Sequence, residues 1–208
     1  MAAAPAGNAG SARDRRSRGR QQRRDTVYAA AVELFVSRGF DSTTMEEIAD
    51  RADVARATVF NHFQRKTAIL EEWSARRRQQ ALAAVHSEHL ESSSVREILE
   101  RYMVELACVS TASRAETVAL MGAALHATNL FSDPALAHEL ASFLARARVA
   151  GELPEHVDPE LAGLLIATGY FVTLTRWING EPEPFDLQDE LHRVLALILD
   201  GVLPSRPG

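Results

Sequence analysis

Helix-start signals recur along this chain so closely that they leave little room for a sheet. Thr43 with Glu46 (or Thr44 with Glu47), Ser94 with Glu97 and Ser113 with Glu116 each set a hydroxyl three residues before a carboxylate, ahead of an apolar run. That is the capping-box pattern, in which the two residues satisfy each other's backbone N–H. Asp133-Pro134, Asp158-Pro159 and Asp186 before Leu187 pair a capping carboxylate with a residue suited to a first turn. Between these signals apolar residues return every three or four positions and do not alternate over any useful length. The spacing predicts a first helix over about 24–37, closed by Gly39, then short helices from 43 to about 52 and from 56 to 62. A longer helix begins near Lys66 and runs past His86, and others cover roughly 95–112, 114–130, 134–149, 159–179 and 187–203. The expected fold is all-α, with about nine helices.

With 46% hydrophobic residues among 208, the chain has material for a sizeable core. The absence of an uninterrupted run of about 18 apolar residues argues against a membrane-spanning helix. The opening MAAAPAGNAG has no apolar segment of secretory type, and Cys108 as the single cysteine excludes an internal disulfide or a cysteine-based metal cluster. The expectation is a cytoplasmic protein without cofactor or metal, its lone helical cysteine a buried small hydrophobe, with an oxidant sensor as the alternative. Residues 1–78 hold 15 Lys and Arg against 10 Asp and Glu, whereas residues 79–208 hold 8 against 18. A net +5 in front and −10 behind suggest an anionic partner for the front alone. Residues 1–22, Ala/Gly/Ser/Arg-rich and without apolar periodicity, read as a disordered Arg-rich arm. It would either track phosphates, enter a minor groove, or add only nonspecific attraction.

Residues 43–62 are two short helices joined by the three-residue turn Asp53-Val54-Ala55. Met45, Ile48, Ala49 and Ala52 stripe the first, while Val54, Val59 and Phe63 supply the matching contact. Such a pair crosses steeply and leaves one face of the second helix free to enter a major groove, though a purely structural helical pair has the same pattern. The stretch RRDTVYAAAVELFVSRGFDSTTMEEIADRADVARATVFNHFQRKTAILEEW, residues 23–73, resembles the N-terminal domain of the TetR family of transcriptional regulators. The resemblance rests on Ala30, Ala31 and Leu34-Phe35, then Gly39-Phe40, Thr43-Thr44 with Ile48-Ala49, Asn61-His62-Phe63, and Lys66 before Ile69-Leu70. It implies a helix-turn-helix DNA-binding domain over 23–70 and an effector-binding and dimerisation domain over 71–208. By position it makes Thr43 or Thr44, Thr58, His62 and Lys66 phosphate anchors. Arg56 suits guanine, Asn61 suits adenine, and the Phe60 ring suits a thymine methyl. The family usually has Gly-Val-Ser at the turn and Tyr where this chain has Phe60. Asp53 must therefore take the left-handed turn, Ala55 cannot cap the helix, and a phosphate-directed hydroxyl is lost.

The resemblance further implies a homodimer paired through helices 159–179 and 187–203 on a palindromic double-stranded operator, released by a small-molecule effector. An activator or a ligand-independent binder of the same fold stays open. Tyr102, Met103, Met121, His126, Phe143, Tyr170 and Phe171 are the candidate lining of an effector pocket, or else plain core. An enzyme is the rival class. His86 and His89 flank Glu88 on one helix, but no further cluster has metal-ligand spacing, and neither a phosphate loop nor a nucleophile elbow is present.

Overall fold

The structure, a computed structural model, describes residues 8–87, 93–128 and 135–202. Nine helices occupy the described residues: α1 Asn8–Arg38, α2 Met45–Arg51, α3 Arg56–His62, α4 Lys66–Ser87, α5 Val95–Ala112, α6 Arg114–Ala127, α7 Ala135–Val149, α8 Pro159–Ile178 and α9 Leu187–Val202. They form two compact units, Met1–Ile69 and Leu70–Gly208.

Most of the expected start signals act as caps. Thr44 and Ser94 form complete capping boxes with Glu47 and Glu97. Asp158 Oδ1 accepts from Glu160 N–H at 3.0 Å, and Asp186 Oδ1 from Asp189 N–H at 2.9 Å. The Asp133-Pro134 cap lies outside the described residues. The box expected at Ser113 does not form. Glu116 instead accepts a hydrogen bond from Trp73 Nε1 at 2.6 Å, because a buried indole N–H has no water to donate to. Helix ends follow glycine: Gly39 (φ +86°) closes α1 through Gly39 N–H to Phe35 O, 3.0 Å. Gly151 (φ +80°) closes α7 with Glu152 N–H donating back to Ala147 O, 2.9 Å.

The structure corrects two expectations. Residues 8–22 are not an unstructured arm, for α1 begins at Asn8. Arg, Gln and Ala are strong helix formers, and extending a helix already packed at Val27–Phe35 needs no new nucleation. Residues 1–7 of the expected arm lie outside the described residues. Cys108 is exposed, on the outer side of α5. By length and composition alone α8 is apolar enough to cross a membrane, but 56% of that span is buried within the second unit, as in a core helix. It passes because small and hydroxyl residues interrupt its apolar runs without adding charge.

In the first unit Val27, Ala31, Leu34 and Phe35 of α1 enclose Ile48 and Ala49 of α2, Val59 of α3, and Phe63. In the second, α8 is central, packed on α6, α7 and α9, with α5 on α9. Its Ala162, Ile166, Ala167, Phe171, Leu174 and Trp177 are buried, whereas Leu161, Leu164, Leu165 and Val172 are exposed.

Candidate nucleic-acid interface and ligand cleft

The reading helix is held from below. Val59 is fully buried and Phe63 almost so, which turns Arg56, Phe60 and Asn61 of α3 outward and leaves Thr58 and His62 half-buried. The turn that sets this pose has Asp53 at φ +51°, the left-handed conformation, with Val54 N–H bonded to Ala49 O at 3.0 Å. Ala55 occupies the N-cap position without a side-chain hydrogen bond. Replacing Ala55 by Ser is expected to stabilise α3 by about 0.5–2 kcal/mol and slow amide exchange along it. Unchanged exchange would show the α3 N-terminus already satisfied by water.

Not all the expected anchors face outward. Thr44 Oγ1 accepts from Glu47 N–H at 3.2 Å, and Thr44 is exposed at the α2 start. Glu47 sits below the ordinary carboxylate value, first through the Thr44 backbone N–H and then the Thr44 hydroxyl. The cap therefore strengthens folding above that ordinary value and is lost as pH falls through the depressed one. Thr43 is 1% exposed, and its hydroxyl donates to Gly39 O at 2.9 Å. It builds the turn and cannot reach a phosphate. Lys66 Nζ donates to Phe40 O at 2.7 Å and lies 4.5 Å from the Phe40 ring centroid. Its charge is thus anchored to the α1–α2 turn, a position that the α4 start does not reveal in sequence. Arg56 is exposed but pairs with Glu46 at 2.5 Å and lies 5.4 Å over the Phe60 ring. Exposed pairs are worth about 0–1 kcal/mol, so exchange of Glu46 for a base or phosphate is cheap. Glu46→Gln is expected to raise duplex affinity about two- to fivefold, read by fluorescence titration, by removing that competition and one repulsive charge. A fall in affinity would mean that Glu46 orients Arg56 for its partner.

Thr58, Asn61 and His62 border a cleft of about 450 Å³ together with Arg20 and Arg23 of α1. Reading the arm as disordered hid these two arginines. A helix continued backwards from Val27 would have put both on one face.

In the second unit Met121, Tyr170 and Phe171 do line a common cleft, with Trp73, Arg77, Arg78, Leu106 and Leu136. Its open volume is about 20 Å³, room for about one water. Tyr102 is buried beside it and donates to Glu139 Oε2 at 2.6 Å, while Arg78 Nε donates to Glu139 Oε1 at 2.9 Å. Burial and then the Glu139 hydrogen bond push the Tyr102 phenol far above its ordinary value. Burial raises Tyr170 as well, so both phenols stay protonated. Phe143 packs edge-on to Tyr102 at 5.8 Å and faces a different cavity, with Val85, His86 and Arg146. Met103 is core, and His126 is exposed on α6 and lines neither cavity. Trp73 and Arg77 join the lining from outside the expected set, and their four-residue spacing on one helix face is visible in sequence. Arg77 is buried, donates to Ser110 Oγ at 2.8 Å, and lies 4.5 Å over the Trp73 ring. His89, the second half of the weighed metal pair, lies outside the described residues, and no metal-ligating cluster occurs among those described.

The family model "Bacterial regulatory proteins, tetR family" matches residues 27–73, which span the helix-turn-helix just described. Its helix-turn-helix is of the TetR type. Like the TetR-family structures it resembles, the chain is all-α throughout its described residues. The transcriptional activator FasR of Mycolicibacterium smegmatis is 45% identical over 47 residues, 23% of this chain and 22% of that protein. The match to this and the next two curated relatives thus spans less than a quarter of their length. The repressor BepR of Brucella suis is 29% identical over 200 residues, covering 86% of this chain and 91% of its own. Among solved structures, Thermus thermophilus FadR, a TetR-family repressor in complex with lauroyl-CoA, superposes with a TM-score of 0.72. It is 28% identical and covers 89% of this chain and 99% of that one.

Proposed function

We propose that this TetR-family protein is a homodimeric repressor that binds a palindromic operator in the cytoplasm and is released by a small molecule held in its second unit. The observation that carries the reading is the outward face of α3, set over buried Val59 and Phe63. Two features support the rest. The stripe Leu161, Leu164, Leu165 and Val172 is a suitable face for a second copy, and two reading heads suit successive major grooves. The central cleft beside Trp73 and Arg77 combines apolar walls with phenol and guanidinium donors, the usual make-up of a ligand site. At about 20 Å³ it is the closed form, which an effector must open. The repressor reading draws on BepR, whose similarity extends along 86% of the chain. FasR is named an activator, but its match stops with the DNA-binding unit.

Footprinting on the DNA flanking the protein's own gene tests this. A protected palindrome with half-sites about one helical turn apart is expected. Lauroyl-CoA, the ligand of the Thermus relative, is the first compound to try for release. No protection, there or on duplexes selected from a random pool, would overturn the operator reading. An effector must favour the released state by a coupling of about 1–3 kcal/mol.

A further inference from the structure

Arg20 and Arg23 stand three residues apart on α1 and so share a face. That face meets Thr58, Asn61 and His62 across the cleft of about 450 Å³. The next residue, Arg24, donates from Nη1 to the His62 carbonyl oxygen at 2.7 Å, and its guanidinium lies 4.3 Å over the Phe63 ring. The segment carrying Arg20 and Arg23 is therefore tied to the end of α3. Further along, Gln21 Nε2 donates to Asp25 Oδ1 and Thr26 Oγ1 to Gln22 O, bonds one helical turn apart that continue the same segment. The cleft lining holds two permanent cations, an imidazole, an amide and a hydroxyl, and no carboxylate. Such a lining is rich in donors and matches a tetrahedral oxyanion.

We infer that this cleft holds one backbone phosphate of bound DNA, with Arg20 and Arg23 as its principal ligands. On that view α1 upstream of Val27 is a fixed wall of the reading head, not a trailing arm that searches the minor groove. The inference rests on the DNA-binding reading and adds to it a second wall that the helix-turn-helix alone does not supply.

A consequence follows for protons. His62 sits below the ordinary histidine value, first through burial and then through Arg20, Arg24 and Arg23. The groups around it are those three guanidiniums from α1 and the neutral Thr58 and Asn61 of its own helix. Beyond α3, Lys66 is turned to Phe40, Arg65 is exposed, and Glu46 of α2 is engaged with Arg56. A phosphate seated among the arginines opposes their field and favours the imidazolium. DNA binding then takes up a proton. Affinity is greatest at low pH, falls as pH rises through the interval between the free and bound His62 values, and is flat above it.

The test uses the full chain, as wild type, as Arg20→Ala/Arg23→Ala, and as Arg18→Ala. Arg18 lies on the opposite side of α1, away from the cleft, and serves as the comparison arginine. Each is titrated with a duplex of about 30 base pairs selected from a random pool by the wild type, and with a generic duplex of equal length, across salt and pH. The double variant is expected to lose about tenfold in affinity on both duplexes, and its slope of log K against log salt to shrink by about one to two. Arg18→Ala should shrink it less. In the NMR titration, His62 should move up in the free double variant and up in the wild-type complex. Because both replaced arginines are exposed, unchanged circular dichroism is expected and confirms that the variant folds. An unchanged salt slope with His62 indifferent to duplex would overturn the inference while leaving DNA binding intact. Millimolar inorganic phosphate shifting His62 where duplex does not would overturn it too, assigning the cleft to a free anion. Wild type binding neither duplex would bring down the DNA-binding reading itself.

Discussion

Leu164→Glu combined with Leu165→Glu is expected to convert the protein to monomers and to weaken operator binding by two orders of magnitude or more. Both leucines are exposed, at 41% and 49%, and with Leu161 and Val172 they recur at helical spacing along one side of α8. Burying a leucine is worth about 1.5–3 kcal/mol, and a two-fold interface uses each position twice. Glutamates there remove that gain and set like charges against each other across the axis. The loss then propagates to the DNA. In a dimer the second head binds its half-site intramolecularly, an advantage of about 10²–10⁴ that monomers forfeit. Sedimentation velocity reads the first effect and operator titration the second, with a single half-site duplex as control. Half-site affinity should survive, because the α3 face is untouched. A variant that stays dimeric would place the pairing surface elsewhere.

Gly163→Val is expected to destabilise the second unit by about 3 kcal/mol, lowering its urea midpoint with little change in slope. A Cβ at Gly163 would lie 2.7 Å from Ala137 O and 2.8 Å from Ala141 N. Both are backbone atoms of α7, so nothing flexible can give way. Ala137, Ala141 and Gly163 let α7 and α8 approach at backbone contact, and branching at position 163 must push the helices apart. Alanine there gains about 1 kcal/mol of helix propensity, so its net cost is smaller. The opposite sign is expected for Gly122→Ala in α6, where an added Cβ meets nothing within 4 Å. There the propensity gain of about 0.8–1 kcal/mol stands alone. A neutral Gly163→Val would mean that α7 and α8 are not in backbone contact in solution.

The contrast between Thr43 and Thr44 shows how far sequence reaches. Both are hydroxyls three residues before a glutamate, so either could cap α2 by local rules alone. The chain resolves the choice through Gly39, whose carbonyl takes the Thr43 hydroxyl once Phe40 packs edge-on to Phe35 at 5.0 Å. Ser113 and Glu116 present the same ambiguity and fall the other way, because Trp73, 43 residues away, needs an acceptor. The Arg-rich segment before Val27 is helical for a different reason. It has no apolar face of its own, and its helix is inherited from the packed segment that follows.

By itself the sequence determined the all-α class and the position of most helix boundaries, while the left-handed residue at Asp53 and the missing cap at Ala55 followed from the resemblance of its turn to the TetR pattern. Each depends on hydrogen bonds and steric limits among residues a few positions apart, which any reading window contains. Tertiary structure alone decided that Thr43 turns inward, that Lys66 clamps the α1–α2 turn, that α8 splits into a buried and an exposed face, and that Arg20 and Arg23 meet His62. The Lys66 and arginine outcomes depend on charge shared between residues some 25 to 40 positions apart, as in the Lys66–Phe40 and Arg24–His62 bonds, and the Thr43 and α8 outcomes on which faces the packed core buries. Only the folded chain brings such groups within reach of one another.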